Sequence, residues 1–282
     1  MTAKTSTRSR DVLGTSALRP DGVAKVTGEF SFSSDMRAEN MLWGATLRSP
    51  HPYARITSID TTKALLIAGV HAIITAEDVP GKLTYGLISS DQPVFAKDVV
   101  RYMGEPIAAV AADHPETCRR ALAAIVVEYE VMTPLVDAEL AILPTTPPIH
   151  PDGNLIRHQR IIHGDSNATA EIIVEGNYTI GMQDQAFLGL EAAMAFPDPG
   201  AQGVELHIAT QWLHEDRGQI AACLNLPENN VRLVLGGVGG AFGAREDISL
   251  QVHCCLLALR TGRPIKMQYS REESFFGHVH RH

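Results

Sequence analysis

The sequence has 282 residues, with 24 Lys and Arg against 32 Asp and Glu, a formal charge of −8 and no concentrated basic stretch. That balance excludes nucleic acid and anionic membrane as partners, since both require a dense basic face, and it points to a small substrate. Apolar residues make up 45%, enough for one large core or two moderate ones, of which two are expected; no apolar run approaches the roughly 20 residues that cross a bilayer, so a cytoplasmic protein is expected.

Residues 1–18 begin with a polar stretch lacking an apolar signal core and read as a disordered leader. Met41 to Arg48 and Arg55 to Asp60 read as strands around the turn Ser49-Pro50-His51-Pro52. Thr61 to Ala68 is a short helix stopped by Gly69, and Val70 to Thr75 a strand. A strand is expected to start at Pro106. Asp113 and Glu116 have capping-box spacing around Pro115, which predicts a helix from Glu116 to Ile125, followed by a strand from Val126 to Val131. Residues 138 to 165 carry Leu143-Pro144-Thr145-Thr146-Pro147-Pro148 and then Pro151-Asp152-Gly153, a stiff, extended stretch that reads as a linker. Beyond it, Glu171 to Ile180, Leu190 to Phe196 and Val204 to Ala209 read as strands and Leu213 to Leu224 as a helix. No internal repeat is present.

Four cysteines, Cys118, Cys223, Cys254 and Cys255, lack the C-x-x-C spacing that holds zinc or an iron–sulfur cluster, and are expected as small buried thiols. His278, His280 and His282 alternate at the end of the chain. On a strand, alternation puts all three on one face, where they could grip a metal; a solvated terminal strand is the plainer alternative.

The most informative stretch is Gly236-Gly237-Val238-Gly239-Gly240-Ala241-Phe242-Gly243. It follows a short apolar strand, Val231 to Leu235, and precedes apolar residues at helical spacing from Glu246 to Arg260, closed by Gly262 and Pro264. Glycine accepts positive φ and has no Cβ, so the run describes a loop whose backbone approaches something closely. At a helix start it would also present unpaired N–H groups and the positive end of the helix dipole, which favour anions and polar oxygens. A phosphate loop is excluded because no Gly-Lys-Ser/Thr follows. A dinucleotide fingerprint started at Gly237 puts Phe242 in place of its last glycine, and the acidic residue wanted about 20 positions later is missing. A turn that merely lets helix and strand pack closely is the structural alternative; Phe242, Arg245, Glu246 and Asp247 beside the loop weigh against it.

Read as Gly-Gly-x-Gly-Gly-x-Phe-Gly-x-Arg-Glu, the loop resembles the cofactor loop of the molybdenum hydroxylases, the xanthine dehydrogenase and aldehyde oxidase family. The segment Gly181-Met182-Gln183-Asp184-Gln185-Ala186-Phe187-Leu188 resembles that family's glutamine loop, and Ala209-Thr210-Gln211-Trp212 its next strand end. Residues 22 to 28 and Gly104-Glu105-Pro106-Ile107-Ala108-Ala109-Val110 agree in the same order. Gly181 to Leu188 and Phe275 to His282 look most like the molybdenum-binding polypeptide of bacterial multi-subunit xanthine dehydrogenases. The resemblance implies an α+β fold: an α/β hammerhead domain over residues 19–137, the linker 138–165, and the first part of a molybdopterin-binding domain over 166–282.

The same resemblance implies the site. Gln183 matches a glutamine whose neutral amide approaches an oxygen of the molybdenum centre. Phe242 and Gly243 match a pair whose backbone N–H groups face the metal's oxygens or the pterin, and Gly239, Gly240, Ala241, Ala244 and Arg245 complete the cofactor contacts. Gln183 and Phe242 would lie near molybdenum without ligating it. Glu246 matches a carboxylate that hydrogen-bonds the heterocycle in purine-oxidising members, although a first-turn acid favoured by the helix dipole would look the same. Ala244 stands where those members commonly have Gly, and Arg245 where they have Lys. The implied reaction is hydroxylation of xanthine or hypoxanthine with oxygen from water, on a molybdenum-pterin cofactor that could be a dinucleotide. FAD and [2Fe-2S] clusters are expected on partner subunits. The general base and a substrate arginine lie beyond His282 in the family, so a missing C-terminal part is expected. Aldehyde or other N-heterocycle hydroxylation, an assembly module or inactive truncated subunit, and a nucleotide-binding protein are the alternatives.

Overall fold

The computed structural model describes residues 14, 16–165, 167–200 and 202–280. Most of the leader expected over 1–18, and His282, lie outside the described residues. No helix among the described residues is long and apolar enough to cross a membrane.

The first half contributes α1 (Gly22–Thr27), β1 (Leu42–Arg48), β2 (Ala54–Asp60), α2 (Thr62–Leu65), β3 (Val70–Thr75) and the short strands β4 (Thr84–Tyr85), β5 (Gln92–Pro93) and β6 (Val99–Val100). It continues with β7 (Pro106–Ala112), α3 (Pro115–Ala124), β8 (Val126–Val131) and α4 (Ala138–Ala141). The second half adds β9 (Ala192–Asp198), β10 (Gly203–Ile208), α5 (Leu213–Leu224), β11 (Val231–Leu235), α6 (Gln251–Thr261), β12 (Ile265–Gln268) and α7 (Arg271–Ser274).

Seven strands form one mixed sheet in the order β11-β10-β9-β12-β1-β7-β3, and β6-β2-β8 form an antiparallel sheet of three. The fold is α+β. The large sheet joins both halves, because β12 pairs parallel with β1 on one side and antiparallel with β9 on the other. The largest core accordingly draws Leu42, Ile74 and Ala109 from one half and Leu206, Ile220 and Leu257 from the other, rather than dividing into the two expected.

Strand β7 reads PIAAVAA and is buried at every position. Ala109 and Ala111 face the large core, while Ala108 and Val110 face a second one formed with Ala64, Ala121 and Ile125. The four alanines let the layers on both faces approach the strand closely. On one side lies α6, whose first eight residues are all buried and whose apolar character runs all round, as a fully enclosed helix requires. Pro197 in β9 pairs with β10 beyond the point where β12 stops at Ala195, so its missing N–H costs no ladder bond to a second neighbour.

Three local expectations are corrected. The stretch Glu171 to Ile180 is not a strand: it is exposed and unpaired, with Ile172, Val174 and Tyr178 at 80%, 88% and 93% exposure. β-branched residues favour a strand only when a neighbour pairs with them, and none does among the described residues. At the start of α3 the cap is His114, whose Nδ1 accepts from Glu116 N at 3.1 Å; Asp113 turns away to His71 Nε2 at 2.7 Å. The helix expected from Glu246 starts only at Gln251, since side chains capture the backbone before it. Ile248 N donates to Asp247 Oδ1 at 2.9 Å and Ser249 N to Gln251 Oε1 at 2.8 Å, which competes with helical bonding.

Candidate functional site

Strand β11 ends at Leu235 and the glycine run leaves its edge, where an isolated parallel bridge joins Gly237 to Phe32. Each half of the run has its own reason for glycine. A Cβ at Gly236 would meet Ser33 Oγ at 2.1 Å, and one at Gly237 the Phe30 ring at 2.2 Å. At Gly239 it would lie 2.8 Å from the Gly189 Cα, and at Gly240 2.9 Å from the Phe187 Cβ. The first four glycines therefore let the loop press against the amino-terminal segment and the glutamine loop. Gly243 differs. A Cβ there would meet nothing nearer than Glu246 Oε1 at 3.9 Å, and its φ of +93° is the left-handed conformation only glycine adopts freely.

Gly240, Phe242 and Gly243 all have positive φ, at 106°, 53° and 93°. Ala244 N donates to Ala241 O at 3.0 Å and closes the turn, but among the described residues the N–H groups of Gly240, Ala241, Phe242 and Gly243 reach no protein acceptor. Successive amides in such a turn make a concave donor surface for anions and polar oxygens. The helix-dipole argument from the sequence does not apply, because α6 begins eight residues after Gly243; the donors come from the turn itself. Phe242 projects at 77% exposure, and the Glu246 carboxylate is half-buried beside Gly243.

Arg245 holds this surface in place. It is buried; its Nε donates to Gly240 O at 3.1 Å, Nη1 to Ala209 O at 3.3 Å and Nη2 to Gly189 O, with the guanidinium 4.4 Å from the Phe187 ring centroid. Its backbone pairs with Gln211, which donates N–H to Arg245 O at 2.9 Å and accepts from Arg245 N at 3.2 Å through Oε1. One side chain thus ties together the glycine loop, the glutamine loop and the end of β10. Burial lowers its pKa, partly opposed by the charge of Glu191. From the other side Arg271 Nη2 donates to Phe187 O at 2.6 Å. Gln183 is exposed near the start of the glutamine loop.

Sequence reasoning overlooked a second feature. Phe275, Phe276, Gly277, His278, Val279 and His280 line one wall of a cavity of about 550 Å³, with Met182 of the glutamine loop on its rim. Arg48, Asp91, Arg101 and Glu105 supply its charges. Burial pushes the Glu105 carboxyl up to about 7, against the lowering effect of its backbone hydrogen bond from Arg101 at 2.5 Å. No spacing rule connects residue 105 to residue 278; the sheet does. All four cysteines are free and buried, as expected.

A family model for the α/β hammerhead domain of aldehyde oxidase and xanthine dehydrogenase matches residues 27–133, and one for the molybdopterin cofactor-binding domain matches residues 149–282. The chain belongs to the aldehyde oxidase and xanthine dehydrogenase family. It is 37% identical over 270 residues to a probable xanthine dehydrogenase subunit of Bacillus subtilis, covering 95% of this chain and 36% of that protein. It is also 37% identical to the nicotinate dehydrogenase large molybdopterin subunit of Eubacterium barkeri, covering 93% of this chain and 62% of that one. Among solved structures, the aldehyde oxidoreductase from Desulfovibrio gigas superposes with a TM-score of 0.87 at 26% identity, over 93% of this chain and 31% of that chain. Quinoline 2-oxidoreductase from Pseudomonas putida 86 gives 0.84 at 28%, over 95% and 36%. The chain therefore spans about a third to two thirds of the length of these relatives, combining a hammerhead domain with a molybdopterin cofactor-binding domain. The unpaired amides of Gly240 to Gly243 and the open face at Gly243 fit an oxygen-rich cofactor.

Proposed function

We propose that the chain forms part of the molybdenum-cofactor subunit of a cytoplasmic hydroxylase that oxidises a purine such as xanthine or hypoxanthine, passing electrons to iron–sulfur and FAD partner subunits. The observation that carries this reading is the set of unpaired main-chain amides at Gly240 to Gly243, within the region matched by the molybdopterin domain. We divide the chain into 19–137 for the hammerhead and 166–282 for the cofactor domain, with Gly239 to Arg245 as the cofactor-binding surface. Backbone donors suit the cofactor's oxygens because they are fixed before it arrives and add no competing charge. When bound, the cofactor, as a pterin or pterin dinucleotide, supplies two-electron oxidation of an electron-poor carbon. The chain's own residues bind and orient: the Gln183 amide offers a neutral donor, Phe242 an apolar wall, and the Glu246 carboxylate an acceptor for a heterocycle N–H. Arg245 acts from beneath the surface, through the carbonyls it holds.

Equal identity to the nicotinate dehydrogenase subunit supports a second reading, in which another N-heterocycle is the substrate. In the enzyme assembled with the polypeptide that supplies the remaining length of its relatives, Glu246→Ala should reduce kcat/KM for xanthine at least about tenfold more than for an aldehyde, the worth of one charged hydrogen bond. Equal losses on both substrates would remove the purine assignment. Copurification of molybdenum with that assembly supports the enzyme; a metal-free chain that still associates points to an assembly module.

A further inference from the structure

The glutamine loop and the segment after α7 meet in a cluster that the cofactor surface does not use. Asp184 Oδ2 lies 3.1 Å from His278 Nε2 and 2.9 Å from His280 Nε2, and one donor atom from each residue falls within 4.8 Å of the other two. Behind them, Glu191 Oε1 is 2.8 Å from His278 Nδ1. The His278 side chain is 1% exposed and that of Glu191 3%. We propose that Asp184, His278 and His280 bind a divalent first-row transition metal, with Glu191 orienting His278 and at least one coordination position open to the neighbouring cavity.

Three observations support this assignment. First, the short contacts are badly directed for hydrogen bonds: among the described residues, Asp184 Oδ2, both ring nitrogens of His278 and both Glu191 oxygens are buried without an aligned partner. Buried polar atoms without partners are costly, and a cation bound among them would satisfy the Asp184 carboxylate and the imidazoles together. Second, the spacing fits. Metal bonds of about 2.0–2.2 Å to nitrogen and oxygen put neighbouring ligands about 2.9–3.4 Å apart, from octahedral to tetrahedral geometry. Both Asp184 contacts fall in that interval. Third, a carboxylate behind a metal-bound imidazole fixes its ring orientation, and Glu191 stands where that role requires.

Packing fixes the two rings. His278 lies against the Phe187 ring at 5.1 Å and stacks on His280 at 4.8 Å with 21° between planes. The alternation noticed in the sequence therefore does put His278 and His280 on one side, although the segment is no paired strand, and the third donor comes from Asp184, 94 positions before His278. Two imidazoles and one carboxylate are the donor set of open zinc sites and of non-haem iron sites, and both histidines line the cavity of about 550 Å³. This inference does not depend on the assignment of the glycine loop.

The test uses the full chain without an affinity tag, stripped with chelator and titrated with Zn2+ or, without oxygen, Fe2+ against a chromogenic competitor. One equivalent should bind tightly, and Co2+ in its place should give visible ligand-field absorption. His280→Gln, at a partly exposed position, and Asp184→Asn should weaken binding by at least about 100-fold, and Glu191→Gln by about 10–100-fold. Circular dichroism of each variant reports whether it is folded. Wild-type and folded His280→Gln chains binding equally, or no stoichiometric binding of either metal, would overturn the site and leave an imidazolium–carboxylate cluster.

Discussion

Replacing Arg245 by Met tests whether one buried cation organises the candidate cofactor surface. The substitution keeps much of the side-chain volume but removes three donors, leaving the carbonyls of Gly240, Ala209 and Gly189 without the hydrogen bonds they now accept. An unmet buried carbonyl costs about 1–3 kcal/mol. The guanidinium is itself poorly solvated where it lies, as its lowered pKa reflects, so its removal relieves part of that cost. A net loss of about 3–4 kcal/mol follows, which at about 2–4 °C per kcal/mol lowers Tm by roughly 6–16 °C. Arg245→Lys keeps the charge but cannot span three carbonyls, and should lose about half as much. Urea unfolding followed by circular dichroism gives the global figure. Exchange at the Gly189 amide, which donates to Gly239 O at 3.0 Å, reports whether the two loops have parted. A Met variant within about 1 kcal/mol of wild type, with that amide still protected, would refute the clamp.

The glycines make a paired prediction. Gly239→Ala forces a Cβ to 2.8 Å from the Gly189 Cα and should destabilise by about 1–3 kcal/mol, whereas Gly243→Ala meets open space and loses only about 1 kcal/mol to its positive φ. Urea midpoints showing equal costs, or the reverse order, would contradict the loop packing. Asp216 is fully buried, and burial, with the charges of Asp247 and Glu215, pushes its carboxyl up to about 6 against the side chains of Thr210 and Gln251. Its folded pKa exceeds the unfolded one, so the folded state holds the proton more tightly. That contribution is complete below about pH 4 and disappears as pH rises through about 6. Asp216→Asn should therefore stabilise the chain at pH 8 by about 2–3 kcal/mol relative to its effect at pH 4; melting curves with the same pH slope in both proteins would exclude this.

Local pattern revealed most of the elements. β3 and β8 fall at the expected residues: both are rich in β-branched side chains, β3 follows the turn residue Gly69, and β8 follows the end of the helix begun around Pro115. Glu171 to Ile180 failed for the converse reason: its composition suits a strand, but pairing depends on chain far away in sequence. The helix after the glycine run was anticipated but placed too early, since apolar spacing does not reveal Asp247 and Gln251 capturing the intervening amides. At the site, the glycine run announced a close approach, yet four of its glycines approach other parts of the protein and only Gly243 faces open space. Arg245 was expected among the cofactor contacts; its bonds to carbonyls of three separate segments could not be read from local pattern. Asp184 and His278 could not be paired from sequence, as their meeting depends on how β9 and β12 lie together in the sheet.

The most direct measurement is amide hydrogen exchange at Gly240, Ala241, Phe242 and Gly243 in the chain with and without the molybdenum-pterin cofactor. With cofactor bound, these four amides should slow by at least tenfold, the equivalent of about 1.4 kcal/mol of added protection, while the already bonded Ala244 amide changes little. Identical exchange in both states, with the cofactor demonstrably bound, would contradict the claim that the main chain of this loop holds it.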